Sequence, residues 1–346
     1  MPKQQSVIIE KLTPNYQEAW DAYVKKHTEG SFFHLSGWQR VIEQAYGHDT
    51  CYLMAQQGDA IVGVLPLGHI NSRLFGNALI SNPFCVYGGA IADNESIRIQ
   101  LEAAAEQEAI NRNVDYLELR NREITPTDWP VKELYVTFRK KIDPDPDVNM
   151  KAIPRKQRAM VRKGIKAQLV SHIEDDVNTF FHIYSTSVRN HGTPVYSRKY
   201  FTLLKEIFGN QCEVRVVTQG KNSISALMSF YFRDEVLPYY GGGLPIARQL
   251  KAFDFMYWDL MQTVCQQGVR IYDYGRSKIG TGSYSFKKNW GFVPESLPYQ
   301  YRLVKSQSIP DINPLNPKYQ FFIKAWQKLP LPVANTIGPW LARSLG

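Results

Sequence analysis

Chemistry-bearing residues crowd into one stretch, Val269 to Phe292, which reads VRIYDYGRSKIGTGSYSFKKNWGF and holds six aromatics, five basic residues, four glycines and a single acid. Val269 to Tyr274 alternates as a strand does, and Gly275 ends the alternation. Cations, hydroxyls and glycines at a strand end are typical of the crevices where α/β sheets hold ligands. Tyr284, Phe286, Trp290 and Phe292 supply aromatic walls that a solvated turn would not need. Arg276, Lys278, Tyr284 and Lys288 are therefore candidate substrate contacts. Asp273 is the acid of the stretch and the candidate base or acceptor-orienting group, with a structural strand-end role as the other reading. Lys287 is expected to supply positive charge, because an unperturbed lysine, near pKa ~10.4, is protonated at pH 7.

Two further segments carry chemistry. Lys151 to Ser171 contains seven Lys or Arg residues and no acid, which leaves +2 of the total charge of +9 for the rest of the chain. Pro154 opens a helix there, on which Arg155, Arg158, Arg162 and Lys166 form one stripe opposite Met160, Val161, Gly164 and Ile165. A cationic ridge without interspersed acids suits phosphates, whether of tRNA, a nucleotide-sugar, a lipid-linked sugar or anionic lipid. Tyr240, Gly241 and Gly242 end a strand before a helix, where backbone N–H groups can meet a carbonyl or oxyanion. The following Leu244 to Lys251 lacks a glycine cradle for pyrophosphate, although Arg248 can still meet one. No Cys/His or Ser/His pairing stands out and no metal ligands are assigned, so direct transfer to an amine fits better than a covalent intermediate.

The elements that position these residues fall into an order that occurs twice. At 346 residues and 44% hydrophobic content the chain has room for two domains. No apolar run is long enough to span a membrane, and MPKQQSVIIEKL lacks a signal-peptide core, so a cytoplasmic protein is expected. Four scattered cysteines read as buried thiols. Each half runs strand, two helices, antiparallel strands, Gly-bearing strand end, helix, strand. Gly58 aligns with Gly220, Tyr87-Gly-Gly with Tyr240-Gly-Gly, and Val114 with Val269, with Glu118 and Asp273 four residues after each valine. The expected fold class is α+β (mixed α/β), as two tandem acyltransferase domains of the GCN5-related N-acetyltransferase (GNAT) type. The expected boundaries are 1–142 for the N-terminal domain, 143–150 for a linker, 151–305 for the C-terminal domain with the site, and 306–346 for a Pro-rich amphipathic tail. That tail, cationic and rich in Phe, Trp and Leu, suits either an interfacial membrane segment or packing on its own domain.

The segments PRKQRAMVRKG, RNHGTPVYSRKYF, LPYYGGG and YDYGRSKIGTGSYSFKKNWGF together resemble the FemAB-related proteins of the exosortase (XrtA)/PEP-CTERM and exopolysaccharide systems of Gram-negative bacteria. The wider Fem group joins two acetyltransferase-like domains and moves amino acids from aminoacyl-tRNA to a peptidoglycan precursor. The resemblance implies that Phe286-Lys287 corresponds to the Phe-Lys pair at the acyl-donor site of that group, and that the setting is polysaccharide assembly at the inner face of the cytoplasmic membrane. No cofactor is firmly implied; the expected acyl donor is aminoacyl-tRNA or acyl-CoA, and the expected acceptor a small-molecule or lipid-linked saccharide amine. DNA is not an expected partner. A CoA-dependent N-acyltransferase of an amino sugar and a non-catalytic polyanion- or membrane-binding protein are the alternatives.

Overall fold

The computed structural model describes residues 6–73, 75–310 and 317–345. The chain forms two compact units, one of Met1–Leu134, Ser296–Asp311 and Arg343–Gly346, the other of Tyr135–Glu295 and Ile312–Ala342.

The first unit contains β1 (Val7–Lys11), α1 (Gln17–Lys26), α2 (Gly37–Tyr46), β2 (Asp49–Thr50), β3 (Leu53–Gln57), β4 (Ala60–Leu65), β5 (Leu67–Ser72), β6 (Gly76–Ser81), β7 (Ile91–Ala92), α3 (Glu95–Asn111) and β8 (Tyr116–Leu119). Strands β1, β3, β4 and β7 form one sheet, and β2, β5, β6 and β8 lie in order in another. Gly58, at φ +62°, makes the β3–β4 turn. Ile97, Leu101, Ala105 and Ala109, spaced as one helical face of α3, enter the apolar core beneath β3 and β4.

The second unit begins within β9 (Val131–Lys141) and continues through α4 (Pro146–Ala152), α5 (Arg155–Lys166), β10 (Leu169–Glu174), α6 (Asn178–Asn190), α7 (Arg198–Phe208), β11 (Cys212–Gln219), β12 (Asn222–Phe232), β13 (Glu235–Gly243), α8 (Pro245–Leu250), α9 (Ala252–Gln266), β14 (Ile271–Asp273), β15 (Ser277–Lys278) and α10 (Gly282–Asn289). Then come β16 (Pro294–Leu303), mostly in the first unit, and α11 (Pro317–Gln327) and α12 (Leu331–Ala342) in the second. Strands β10 to β13 run antiparallel; β14 lies parallel to β13 and antiparallel to β9.

Successive glycines of β13 meet different helices. A β-carbon on Gly242 would lie 2.7 Å from the Tyr184 Cα of α6, and one on Gly241 would lie 2.7 Å from the Tyr257 hydroxyl of α9. Adjacent strand residues point to opposite faces, so α6 and α9 cover opposite sides of the sheet. Helix α9 buries Phe255, Met256, Trp258, Leu260, Met261 and Val264, and α5 packs on its outer side.

Two sequence expectations need correction, and one helix was not anticipated. Residues 143–150 are not a plain linker: Asp145 caps α4, its carboxylate accepting from the Asp147 N–H at 2.8 Å, and Asn149 bonds back to Asp143. The supposed domain cut at 143–150 is replaced by passages between the units at 134/135, 295/296, 311/312 and 342/343. Gly282–Asn289 is helical, with Thr281 as its cap, accepting from the Tyr284 N–H. Its two small leading residues hide an i, i+4 pair, Phe286 and Trp290.

Candidate active site

Strand β13 pairs with β14 only at Glu235↔Ile271 and Val236↔Tyr272, yet it stays paired with β12 as far as Gly243↔Ser225. The two parallel strands therefore part beyond Val236. Opposite β12 the register jumps from Met228↔Tyr240 to Ser229↔Pro238, which leaves Tyr239 as an extra residue in a bulge. Bulges sharpen local twist, and this one lies where β13 leaves β14. A strand edge released from its neighbour can offer N–H and C=O groups to an extended ligand.

The end of β14 holds Asp273, only 1% exposed. Its Oδ1 accepts from the Gly275 N–H at 2.6 Å and from the Thr137 hydroxyl at 3.4 Å, and its Oδ2 lies 3.9 Å from Arg139 Nε. Arg139 is in turn held by both oxygens of Glu235, at 3.1 and 2.5 Å. Asp273 thus ties the Gly275 turn, whose φ of +65° suits glycine, to the strand.

Lys287 reaches this turn from α10. Its Nζ donates to the Gly275 and Arg276 carbonyls, at 3.0 Å each, and lies 5.7 Å from the centre of the Phe138 ring. Tyr284, one helical turn earlier, packs edge-on against the same ring at 5.5 Å. Burial pulls the Lys287 pKa down to about 7; Asp273 opposes the shift and Arg276 adds to it. This overturns the expectation of an ordinary ammonium fixed in its charged form. A charged ammonium bonded to two carbonyls keeps one N–H to give, whereas the neutral amine keeps a lone pair. One side chain can therefore present either a donor or a base near neutral pH.

The other predicted residues divide by position. Arg276 and Lys278 flank the Tyr135 ring at 4.6 and 5.8 Å, because β15 pairs with β9 through Ser277↔Val136 and Lys278↔Tyr135. Phe286 contacts Tyr257, whose ring lies 5.7 Å away, and Lys288 is exposed. Tyr240 is buried among aromatics, and its hydroxyl shares a 2.9 Å hydrogen bond with Tyr200. Gly241 and Gly242 lie within the β12–β13 ladder and not past its end, and the helix contacts above account for their missing side chains. Arg248 is exposed on α8, which takes the place of a glycine cradle.

Helix α5 turns its ridge outward: Arg155, Arg162 and Lys166 are exposed and Arg158 is half-buried. Only Val161 and Gly164 of this helix are buried, and Ile165, expected on the inner side, is exposed because it falls at the rim of the narrow contact. A β-carbon on Gly164 would lie 2.8 Å from Phe255 Cβ and 3.0 Å from the Lys251 carbonyl, so α5 crosses the first turn of α9. Gln157 of α5 donates to Asp254 of α9, which also accepts from Trp290 Nε1 at 3.3 Å. Burial raises the Asp254 pKa. The ridge is thereby linked through Asp254 to Trp290, directly after α10.

Sequence reasoning did not single out Tyr257, Asp254, Phe138 or Tyr135. Asp254 left a signal, a lone acid in the apolar run Ala252-Phe-Asp-Phe-Met-Tyr-Trp. All four cysteines are buried, and burial raises Cys51 to about 11 and Cys212 to about 12, so these thiols stay protonated at neutral pH. Among the described residues there is no group of three or more His, Cys, Asp or Glu that could hold a metal ion.

Residues 149–288 match the model of an acetyltransferase (GNAT) domain. No curated protein matches the chain significantly. Among solved structures, a crystal structure of FemX is similar at 14% identity with a TM-score of 0.67, covering 91% of this chain and 100% of its own. A tandem GNAT protein from the clavulanic acid biosynthesis pathway is similar at 11% identity and a TM-score of 0.54, covering 88% and 100%. The C-terminal domain of a putative lysylphosphatidylglycerol synthetase from Agrobacterium fabrum is similar at 11% and 0.54, covering 85% and 92%. The acetyltransferase-domain match thus lies within the second unit, and the chain has the α+β fold of tandem GNAT proteins.

Proposed function

We propose that the protein moves an aminoacyl or acyl group onto an amine of a cell-envelope or exopolysaccharide precursor, in the manner of the Fem group, with the second unit as the reacting one. The observation that carries this reading is Lys287, held by two carbonyls at the end of β14 with a pKa near neutrality. An acceptor amine must lose a proton as its nitrogen attacks the donor carbonyl, and the departing oxygen or sulfur must gain one. The neutral Lys287 lone pair takes the first proton and returns it to the leaving group as the C–O or C–S bond breaks. Asp273, enclosed and bonded to the Gly275 N–H, holds the turn that positions Lys287. Phe286 fixes the α10 face through Tyr257. The open edge of β13 binds the donor acyl chain through its backbone.

For the donor we favour aminoacyl-tRNA over acyl-CoA. The exposed cationic ridge across the first turn of α9, and helix α8 in place of a glycine cradle, support a large polyanion. The exosortase-associated setting rests on the motif resemblance.

A thermal-shift comparison at constant salt tests the donor. A ligand present at 100 times its Kd stabilises by about 2.7 kcal/mol. Stabilisation by deacylated tRNA that is lost in Arg155→Ala/Arg162→Ala supports the reading. Stabilisation by CoA and acetyl-CoA alone transfers the assignment to a CoA-dependent N-acyltransferase of an amino sugar. Binding of polyanions without transfer by any donor would leave the non-catalytic reading.

A further inference from the structure

Helix α12 places small residues inward and large apolar residues outward, the reverse of a helix packed on a water-soluble domain, and α11 also leaves large apolar residues outward. On α12, Ala334, Gly338 and Ala342 recur at i, i+4 and i+8, and all are buried. A β-carbon on Gly338 would lie 3.0 Å from the Val195 nitrogen, so the approach to the 191–195 loop is close. Asn335 donates to the Ser185 hydroxyl of α6 at 3.4 Å. Helix α11 is fixed by buried Trp326, by Gln327 Nε2 donating to the Asn190 carbonyl at 3.1 Å, and by Arg189 donating to the Leu329 carbonyl just beyond the helix at 3.2 Å. The tail therefore packs on its own domain, and this packing consumes only one face.

The remaining face is apolar. Val333, Ile337 and Trp340, at i, i+4 and i+7, are 40%, 42% and 59% exposed, and on α11 Phe321 and Phe322 are 81% and 41% exposed. Lys324 and Lys328, three and seven residues beyond Phe321, share its stripe and are exposed. From residue 312 onward the sequence holds four basic residues and no acid.

We propose that the outward face of α11 and α12 is a docking surface for an anionic lipid bilayer. Large aromatics beside long cationic side chains match the boundary between acyl chains and anionic headgroups, where the lysine stems lie along apolar surface and the ammonium groups reach phosphate. The absence of acids from this segment gives charge complementarity to anionic lipid. The pattern is that of a helix lying on a membrane, and no helix among the described residues is long and apolar enough to cross one. The proposal is independent of the acyl-transfer reading.

Flotation of the full chain with phosphatidylglycerol/phosphatidylcholine vesicles tests it, with phosphatidylcholine vesicles as the comparison. Wild type should float with the anionic vesicles. Phe321→Ser/Ile337→Ser/Trp340→Ser should lower partitioning about tenfold or more, and Lys324→Ala/Lys328→Ala should remove most of the preference for the anionic lipid. Should the triple variant melt early, the single variants Ile337→Ser and Trp340→Ser are read in its place. Binding should also shift tryptophan emission to the blue, and Trp340→Phe should abolish that shift. Failure of wild type to bind overturns the proposal. So does unchanged binding by the apolar variants, which would place the lipid contact on α5. A wild-type dimer that the triple variant converts to monomer, without vesicle binding, assigns the face to a second copy and overturns it as well.

Discussion

The two units place an acid at corresponding positions of corresponding strands, and they treat it in opposite ways. In the first, Glu118 of β8 accepts from Arg120 Nε at 2.7 Å and from the Tyr301 hydroxyl at 2.8 Å, while Arg120 also donates to the Cys85 carbonyl at 2.6 Å. The Gly89 N–H reaches the Arg120 carbonyl at 3.3 Å, and the Asn121 side chain lies where a β-carbon on Gly89 would be. The place where a strand edge could open is filled by the unit's own groups. In the second unit the equivalent acid, Asp273, also has an arginine, Arg139, at 3.9 Å, but it accepts from the Gly275 N–H, its charge is felt by Lys287, and β13 parts from β14. Arginine keeps its proton throughout the working pH range, whereas a buried lysine can release one. The repeated fold is thus compatible with either a sealed strand end or one where the paired strands part, and the second unit adds Lys287 to the arginine that both acids have.

The largest expected effect breaks the comparison on the active side. Lys287→Met should lower the transfer rate by about 100-fold or more with the donor KM little changed, as single-turnover kinetics would measure. On the sealed side, Arg120→Met should leave Glu118 buried without its cation and cost about 3 to 5 kcal/mol in a denaturant melt. A full rate from whatever remains folded would sharpen the contrast. Gly242→Ala should cost about 1 to 3 kcal/mol, because the backbone of Tyr184 cannot yield as a flexible side chain would. Arg155→Ala/Arg162→Ala should weaken tRNA binding and reduce the slope of log K against log salt by about 1.5 to 2.

A further effect is on the pH dependence of stability. The folded pKa of Lys287 lies near 7, below its ordinary value of 10.5, so between these values the unfolded chain holds the extra proton and wild-type stability rises with pH. Lys287→Met lacks this dependence. Its melting temperature, measured relative to wild type, should therefore decline from about pH 6 to about pH 9.

Much of the fold was legible because periodicity is local. Helix α7 at Arg198–Phe208 and the start of α9 at Ala252 coincide with the apolar spacing of the sequence, and both hairpin glycines, Gly58 and Gly220, adopt the left-handed turn conformation. Helix α10 was hidden because Gly282 and Ser283 weaken its first turn, and α4 because Asp143-Pro-Asp-Pro-Asp reads as a turn while its capping bonds favour a helix. Lys287 was identifiable by its neighbours in sequence and by family resemblance. Its protonation was not, since that depends on Phe138 and on the Gly275 and Arg276 carbonyls, which the fold alone brings to it. Tyr257 escaped notice for the same reason: its place between Gly241 and Phe286 follows from how α9 lies on the sheet.

The most direct test of the account is the protonation of Lys287 itself, which can be read without knowing either substrate. Trace acetylation with acetic anhydride across a pH series, followed by peptide mass spectrometry, reports the neutral fraction of each lysine. Lys287 should react with a midpoint near pH 7, well below the ordinary lysine range near ~10.4. A Lys287 midpoint within that ordinary range would contradict the proposed assignment of the second unit's acid–base chemistry to this residue.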